Sequence, residues 1–123
     1  MREFIKVMKA VSDPNRVRIL KMLQHRSLCV CEIQSALKVA QPTVSKHLRL
    51  LESAGLVSSR KDGAWVNYHL TDGKTNPYAV SILEDLKGWL DNDPGIIRLI
   101  EALPSIRRED ICRKQTQSRC RIE

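Results

Sequence analysis

The stretch that decides the fold is residues 31–55, which read CEIQSALKVAQPTVSKHLRLLESAG. Apolar side chains recur there at the three- to four-residue spacing of a helix, on both sides of a short gap: Ile33, Leu37, Val44, Leu48 and Leu51. Gly55 follows the last of them, where glycine commonly ends a helix. We therefore predict a short helix over residues 31–37, a turn at Val39 and Ala40, and a longer helix over residues 41–54. This order is a helix-turn-helix.

The flanking sequence extends this pattern in both directions. Residues 3–11 have helical spacing, and Ser12-Asp13-Pro14 is typical of the start of a second helix. Downstream, residues 56–59 and 65–70 are predicted strands, and Asp62-Gly63 between them indicates a hairpin, which after such a helix forms a wing.

Beyond the hairpin we predict two further helices, at residues 77–91 and 96–103, followed by a polar chain without regular structure. The expected fold is mainly α (α+β), a dimeric winged helix-turn-helix with a two-stranded β-hairpin wing. Residues 1–93 are expected to form the DNA-binding and dimerisation domain. Residues 94–123 are expected to add a C-terminal helix and a basic, flexible tail.

Charge and composition narrow the class of partner. The 123-residue chain carries 21 Lys and Arg against 14 Asp and Glu, a net charge of +7, which favours nucleic acid. It shows no signal peptide and no apolar run long enough to span a membrane, so we expect a cytoplasmic protein. Thiols stay reduced in that compartment, so the four cysteines are better read as ligands or sensors than as a disulfide framework.

The second helix of the motif carries the side chains expected to meet DNA. Its first turn holds short hydrogen-bonding groups and one cation, as a recognition helix needs in the major groove. Arg60 and Lys61 at the tip of the wing are placed to meet phosphates. The expected DNA-contacting residues are Gln41, Thr43, Ser45, Lys46, Arg49, Arg60 and Lys61. His47 lies on the inner edge of the helix and is expected to pack there instead.

The chain resembles the ArsR/SmtB family of metal-responsive winged-helix repressors over residues 3 to about 90. The matching segments are SDPNRVRIL at residues 12–20, LCVCEI at 28–33, QPTVSKHL at 41–48, AGLV at 54–57 and RKDG at 60–63, followed by WVNY at 65–68. The Cys29-Val30-Cys31 triplet is similar to the arsenic-sensing branch.

The resemblance implies a homodimer held by the first and fifth helices. It implies that this dimer represses a metalloid-resistance operon by binding an operator with two-fold symmetry. It implies release of DNA when As(III) or Sb(III) binds as inducer, with no constitutive cofactor. The chain departs from the family in two places. Gln34 and its neighbours offer no third cysteine after the pair, and no histidine follows His69, so the fifth-helix zinc site of other members is absent.

The thiol pair fits such an inducer, because soft ions prefer sulfur. Trivalent arsenic is satisfied by three sulfurs, and Cys112 is the first candidate for the third, with Cys120 a weaker one. On a regular helix, residues two apart point about 200° apart. Cys29 and Cys31 can therefore share one ion only if the backbone there is extended or distorts, and we expect binding to unwind or bend the first turn of the helix. A helix N-terminus is also expected to lower the pKa of a thiol there.

Other functions remain open from the sequence. The same thiols could sense Cd(II), Pb(II), or oxidants and persulfide. A thiol–disulfide exchange enzyme is a further alternative, although we find no catalytic constellation and no thioredoxin-like strand pattern around the pair. A winged-helix interaction module that never touches DNA is the last, and its affinity for duplex would not fall with salt.

Overall fold

The computed structural model describes residues 1–72, 74 and 76–114, with side chains described up to residue 111. The elements in chain order are α1 (Arg2–Ala10), α2 (Pro14–Leu23), β1 (Leu28–Cys29), α3 (Val30–Leu37), α4 (Gln41–Ser53), β2 (Val57–Asp62), β3 (Trp65–Leu70), α5 (Pro77–Leu86), α6 (Pro94–Ala102), a 3-10 turn (Leu103–Ser105) and α7 (Arg108–Lys114). The predicted helix-turn-helix and wing are thus confirmed as α3, α4 and the β2–β3 hairpin.

The sheet has one strand more than the sequence predicted. Its order is β1-β3-β2, antiparallel throughout, and Cys29 of β1 lies opposite Asn67 of β3. The predicted two-stranded wing is therefore part of a three-stranded sheet. A two-residue strand carries no alternation that a sequence pattern could reveal, and it forms only because β3 supplies its hydrogen-bonding partner.

The core lies where α1, α2, α3 and α4 meet the sheet. Its largest fully buried apolar side chains are Ile19, Leu20, Met22, Leu28, Ile33, Leu48, Leu51 and Leu56. Lys21 is buried among them with 1% of its surface exposed. Its ammonium donates to the carbonyls of Leu86 and Trp89 and to Asp91, at 2.7–2.8 Å. The charge is therefore fully satisfied and holds the end of α5 to α2.

Helix α5 ends earlier than predicted, at Leu86 and not near residue 91. The ammonium of Lys21 takes the carbonyl of Leu86, and Leu90 adopts φ +66°, a left-handed conformation that no helix continues. A tertiary contact from another helix therefore accompanies the end of α5. The apolar sequence pattern continues past it.

The C-terminal segment is more regular than the sequence indicated. Residues after Pro104 were predicted to lack regular structure, yet α7 follows at Arg108–Lys114. The guanidinium of Arg26 donates to the carbonyls of Leu103 and Ile106, at 3.3 and 2.6 Å, and so holds the chain that leads into α7. None of the helices in the described part of the chain is long and apolar enough to cross a membrane.

Candidate DNA interface and thiol cluster

Helix α4 presents its polar face outward, as its sequence pattern requires. Thr43, Lys46 and Arg49 are exposed, whereas Val44, Leu48 and Leu51 face the core. Gln41 and Ser45 lie half-buried in the first turns, and the amide of Gln41 donates to the Ser45 hydroxyl at 3.0 Å. All five sequence-predicted residues of this helix therefore keep solvent-accessible surface.

The wing carries two exposed cations. Arg60 and Lys61 are exposed near the end of β2. Gly63 turns the chain back with φ +63°, a conformation that glycine adopts without strain. Asp62 stands beside the two cations at the same tip. The electrostatic character of the tip therefore depends on what neutralises this carboxylate.

A buried polar contact seats α4 against α2. His47 retains only 8% exposure, and its Nδ1 lies 3.2 Å from the guanidinium of Arg16. Arg16 also donates to the carbonyls of Ala10 and Lys9, at 2.8 and 3.0 Å, so it bridges α1 and α4. Burial lowers the pKa of His47, while Asp13 at 4.0 Å opposes the shift. The predicted packing role of His47 agrees with this placement.

The two thiols of the CVC triplet lie side by side. Cys29 is the N-cap of α3 and has extended backbone, with φ −88° and ψ 170°, while Cys31 lies in the first turn. Their sulfurs are 3.2 Å apart, and at most 1% of either residue is exposed. The sequence predicted that two such cysteines can share an ion only if the backbone there is extended or distorts. The extended alternative is the one found, because Cys29 precedes the helix.

Glu32 completes the start of α3. Its carboxylate accepts the backbone N–H of Cys29 at 2.9 Å, and its own backbone N–H donates to the Cys29 sulfur. This is a reciprocal capping box in which cysteine stands where serine or threonine usually does. Arg26 pairs with the buried Glu32 carboxylate at 3.1 Å. The sulfur of Cys29 is thus both a candidate ligand and part of the helix cap.

The thiol of Cys29 holds its proton tightly. Burial raises its pKa from 9.0 to about 11, and the nearby negative charge of Glu32 adds to the rise. The backbone N–H donors of Glu32 and Cys31 oppose the shift without overcoming it. The sequence expectation of a lowered pKa is therefore wrong at Cys29, because desolvation of the charged form outweighs the favourable helix N-terminus.

Two apolar side chains cover the cysteine pair. Trp65 of β3 and Ile111 of α7 pack against Cys29 and Cys31. Cys31 takes part in a disulfide bond, whereas Cys29 is a free thiol. Ile111 is followed directly by Cys112, whose side chain lies outside the described part of the structure, as does all of Cys120. Among the described residues, no group of three His, Cys, Asp or Glu side chains is arranged to hold a metal ion.

An open cavity of about 800 Å³ borders the thiol cluster on the side of α3 that faces the C-terminal segment. Its lining includes Cys31, Gln34, Lys38, Arg107 and Ile111. The buried Oε1 of Gln34 has no hydrogen-bond partner among the described residues. A small polar molecule in the cavity would therefore lie against α3 and beside Cys31, which itself is 1% exposed.

Sequence reasoning missed the residues that join these parts, namely Arg26, Glu32 and Arg108. The spacing of Glu32, three residues after Cys29, is that of a capping box and could have indicated its role. The acidic residues Glu109 and Asp110 in the first turn of α7 are a helix-start signal that was also available. Nothing local marks Arg26 or Arg108, since their partners are distant in sequence.

Comparisons with known proteins place the chain among transcriptional regulators. Residues 13–59 match the family described as bacterial regulatory protein, arsR family. A helix-turn-helix-type regulator of Methanocaldococcus jannaschii is 46% identical over 69 residues, 55% of this chain and 78% of that protein. The arsenical resistance operon repressor of Escherichia coli is 41% identical over 68 residues, 54% of this chain and 58% of that protein.

Two further matches bear on the ligand and the fold. A Staphylococcus aureus homologue of a cadmium resistance regulator is 43% identical over 68 residues, 54% of this chain and 56% of that protein. The chain therefore spans a little over half of the named resistance regulators. Among solved structures, HlyU from Vibrio cholerae has a TM-score of 0.58 and 32% identity, covering 69% of this chain and 88% of that one.

Proposed function

The chain belongs to the ArsR family of helix-turn-helix regulators, which are DNA-binding proteins and not enzymes, and we propose that it represses a metalloid-resistance operon until As(III) or Sb(III) binds its thiols. One observation carries the proposal. The sulfurs of Cys29 and Cys31 lie 3.2 Å apart at the start of α3, the helix that immediately precedes the DNA-facing α4. A change at the sulfurs therefore acts on the element that supports α4.

The DNA side of the proposal rests on the exposed face of α4 and on the wing. The residues proposed to contact operator DNA are Gln41, Thr43, Ser45, Lys46, Arg49, Arg60 and Lys61. Those in the first turns of α4 supply hydrogen-bonding groups for base edges, and the cations suit phosphates. The net charge of +7 adds a sequence-independent attraction to the duplex.

A homodimer would present the DNA-facing surface of α4 twice. Helices α1 and α5 expose the apolar side chains of Phe4, Ile5 and Tyr78, each 38–39% accessible. Phe4 and Tyr78 meet edge to face, with ring centroids 5.3 Å apart, so the two helices form one apolar surface. A second copy of the chain covering this surface would place two α4 helices on an operator with two-fold symmetry.

The protonated state of Cys29 favours a metalloid that carries hydroxide. When arsenite, As(OH)₃, binds a thiol, the S–H proton leaves with one hydroxide as water while the As–S bond forms, with no change in oxidation state. A bare divalent cation must instead displace the proton into solvent. At pH 7 this costs about 5 kcal/mol for a thiol whose pKa is about 11. Burial of the pair therefore penalises Cd(II) and Pb(II) more than arsenite.

The third sulfur is proposed to come from Cys112. Ile111, its neighbour in α7, already packs against the cysteine pair, so the backbone of α7 runs past the cluster. Binding also requires the disulfide bond of Cys31 to be reduced. Cellular thiols perform this reduction in the cytoplasm, where we place the protein.

The engagement of Cys31 in a disulfide bond favours a second candidate function, a repressor that senses thiol oxidants or persulfide through the same cysteines. The free thiol of Cys29 stands 3.2 Å from the Cys31 sulfur and is positioned for exchange. Burial and the raised pKa of Cys29 oppose this function, since the thiolate is the attacking species.

The decisive experiment measures DNA binding by reduced protein against a duplex that the protein itself has selected from a randomised library. Arsenite should weaken binding by 10-fold or more, on the order of a few kcal/mol of differential affinity. Its apparent affinity should be nearly constant between pH 6.5 and 8. The affinity for cadmium should instead rise with pH, by about tenfold per pH unit for each thiol that loses a proton.

The Cys31→Ser variant is the matched test of the ligand. It should bind the duplex normally and fail to respond to arsenite. Release of the variant at the parent's arsenite concentration would remove Cys31 from the site. If cadmium or an oxidant released the parent protein and arsenite did not, the inducer assignment would be wrong.

X-ray absorption of the arsenite complex tests the third sulfur. The parent should show three As–S bonds, and Cys112→Ser should show two with an oxygen in place of the third. A three-sulfur spectrum from Cys112→Ser would assign the position to another residue. Cys120→Ser serves as the control and should retain the parent's spectrum.

A further inference from the structure

We propose that Arg108 is a positioning residue that fastens the wing (residues 57–70) to the thiol cluster, so that wing placement on DNA depends on what the sulfurs bind. The inference rests on the proposed function and concerns a route of regulation separate from the contact between α3 and α4. It assigns α7 a second role, besides that of carrying Cys112, the proposed third sulfur ligand.

Arg108 holds the wing through three neighbouring groups. Its guanidinium donates to Asn67 and to the carboxylate of Asp62, each at 3.2 Å. The same group lies over the ring of Trp65, 4.8 Å from the centroid. A planar, forked guanidinium satisfies all three at once. Only 22% of the Arg108 side chain is exposed, so its contacts with Asn67 and Trp65 are partly shielded from water and salt, whereas the Asp62 side chain is 60% exposed.

Two of the three residues that Arg108 holds, Asn67 and Trp65, also lie at the thiol cluster. Asn67 lies opposite Cys29 in the β1–β3 register. Trp65 packs against Cys29 and Cys31 beneath the guanidinium, and Ile111 packs there from α7. Trp65 and Asn67, two residues apart in β3, therefore connect the sulfurs to a strand of the wing.

A second arginine ties α7 to the cap of α3. Arg26 pairs with Glu32, whose carboxylate accepts the backbone N–H of Cys29, and it donates to the carbonyls of Leu103 and Ile106. The chain entering α7 is thus held to the same capping box that contains the Cys29 sulfur. A shift of the sulfurs therefore reaches α7 by two routes, through Arg26 at the chain that enters the helix and through Ile111 within it.

Charge gives this link a direct effect on DNA. Asp62 follows the two wing cations, Arg60 and Lys61, which are proposed to meet phosphates. While Arg108 pairs with Asp62, the negative charge at the tip is compensated. Loss of the pair would leave an uncompensated carboxylate beside the DNA backbone and would release the wing from a fixed position. The docked state of α7 is therefore the DNA-binding state.

Occupancy of the cluster disfavours the docked state. Trp65 and Ile111 pack directly on sulfurs that are buried. Close-packed groups cannot admit an additional atom without moving their cover. Binding therefore moves Trp65 and Ile111 off the sulfurs while Cys112, the proposed third ligand, keeps α7 at the cluster in a changed position. Arg108 then loses its partners on the wing.

The test compares Arg108→Ala with Arg107→Ala. Arg107 is the adjacent cation, is 66% exposed, and has Glu109 at 3.9 Å as its ion-pair partner. Both variants lose one positive charge. Arg108→Ala should weaken duplex binding about three- to tenfold and reduce the further weakening caused by arsenite. Arg107→Ala should change duplex affinity by less than about twofold and keep the full arsenite response.

Tryptophan fluorescence measures the anchor without DNA. In a Trp89→Phe background, Trp65 is the single tryptophan and lies beneath Arg108. Arsenite should shift its emission in that background and in its Arg107→Ala derivative. The Arg108→Ala derivative should already show shifted emission before arsenite is added. Arg108→Lys, which keeps the charge and loses the fork, should resemble Arg108→Ala.

The outcomes separate the two proposals. Equal duplex affinity and equal Trp65 emission in the two alanine variants would overturn the role of Arg108, even if arsenite releases the parent. Parent-like behaviour of Arg108→Lys in both measurements would also overturn it. If arsenite fails to weaken duplex binding by the parent, the proposed inducer is wrong, while the comparison of variants without arsenite still decides whether Arg108 anchors the wing.

Discussion

Helices α2 and α3 both begin from extended backbone but have different cap atoms. Asp13 and Cys29 are both N-cap residues in extended conformation. The carboxylate of Asp13 is partly exposed and accepts the backbone N–H groups of Asn15 and Arg16, at 2.8 and 3.2 Å. The sulfur of Cys29 is buried, receives the N–H of Glu32, and has a second sulfur 3.2 Å away.

The difference separates a cap that stabilises its helix from a cap that is also proposed to bind the inducer. Oxygen is the better acceptor for free helix N–H groups, and Asp, Asn, Ser and Thr are preferred at this position. Helices α5 and α6 follow that preference with Asn76 and Asp93. Helix α3 uses a weaker acceptor where its first turn meets the sheet. A sulfur at this position therefore makes a weaker cap than oxygen would, and provides a soft ligand atom instead.

The largest expected effect comes from replacing the unusual cap with a usual one. Cys29→Ser should lower arsenite affinity by roughly 100-fold or more, since even outer-shell partners of a metal are worth about 10- to 100-fold. Its serine should keep the cap, so the free energy of unfolding should fall by less than about 1 kcal/mol. Calorimetric titration with arsenite and urea unfolding measure the two quantities. Undiminished arsenite affinity would place the ligand set elsewhere.

Removing the oxygen cap should give the reverse pattern. Asp13→Ala should reduce the free energy of unfolding by about 1–2 kcal/mol, because two N–H groups of α2 lose their acceptor. Arsenite affinity should not change. Asp93→Ala is the matched control at α6, where one N–H is capped, and should cost about 1 kcal/mol. A loss of arsenite affinity in Asp13→Ala alone would show that the two helix starts are coupled.

Glu32 has two roles at the sulfur cap: it accepts the backbone N–H of Cys29, and its negative charge raises the pKa of the Cys29 thiol. Removing the charge alone separates them. Glu32→Gln keeps a carbonyl oxygen for the Cys29 N–H and removes the negative charge that raises the thiol pKa. The pKa of Cys29 should therefore fall below about 11 while burial keeps it above 9.0. The measurement uses a triple variant, Cys31→Ser with Cys112→Ser and Cys120→Ser, in which Cys29 is the only thiol. The pH dependence of its thiolate absorbance or of its alkylation gives the pKa of Cys29. An unchanged profile would leave burial as the sole cause.

The smallest effect concerns pH and the contact between α2 and α4. The pKa of His47 is lowered by burial from 6.5, so the unfolded chain takes up its proton first as pH falls. This contribution to stability is complete above pH 6.5 and declines as pH drops through the lowered pKa. Urea unfolding between pH 7.5 and 5.5 should show a smaller decline for His47→Gln than for the parent. Equal slopes would contradict the burial argument.

Much of the fold follows from the sequence because its signals are local. The apolar spacing of residues 33–51, the cap at Asp13, and the Asp62-Gly63 turn each act over a few residues. They predict α2, α3, α4 and the wing correctly, and the outward direction of Lys46 and Arg49 follows from the same helical spacing. The pairing of Cys29 and Cys31 as one candidate site also came from the sequence alone.

The errors arose where a distant residue decides the outcome. Strand β1 depends on β3, the end of α5 on Lys21, and the docked position of α7 on Arg26 and Arg108. The sequence could not show that Cys29 lies in extended backbone opposite Asn67. The expected low thiol pKa was wrong because burial, which only the folded chain determines, outweighs the effect of the helix N-terminus.

By itself, the sequence determined the kinds of elements, the polar face of α4 and the presence of two neighbouring thiols, since periodicity and residue chemistry are properties of short segments. Tertiary structure alone decided that the Cys29 thiol is buried and protonated, and that the wing, the sulfurs and α7 share one set of contacts. Burial and long-range pairing are properties of the folded chain, because they depend on which surfaces meet after the local elements have formed.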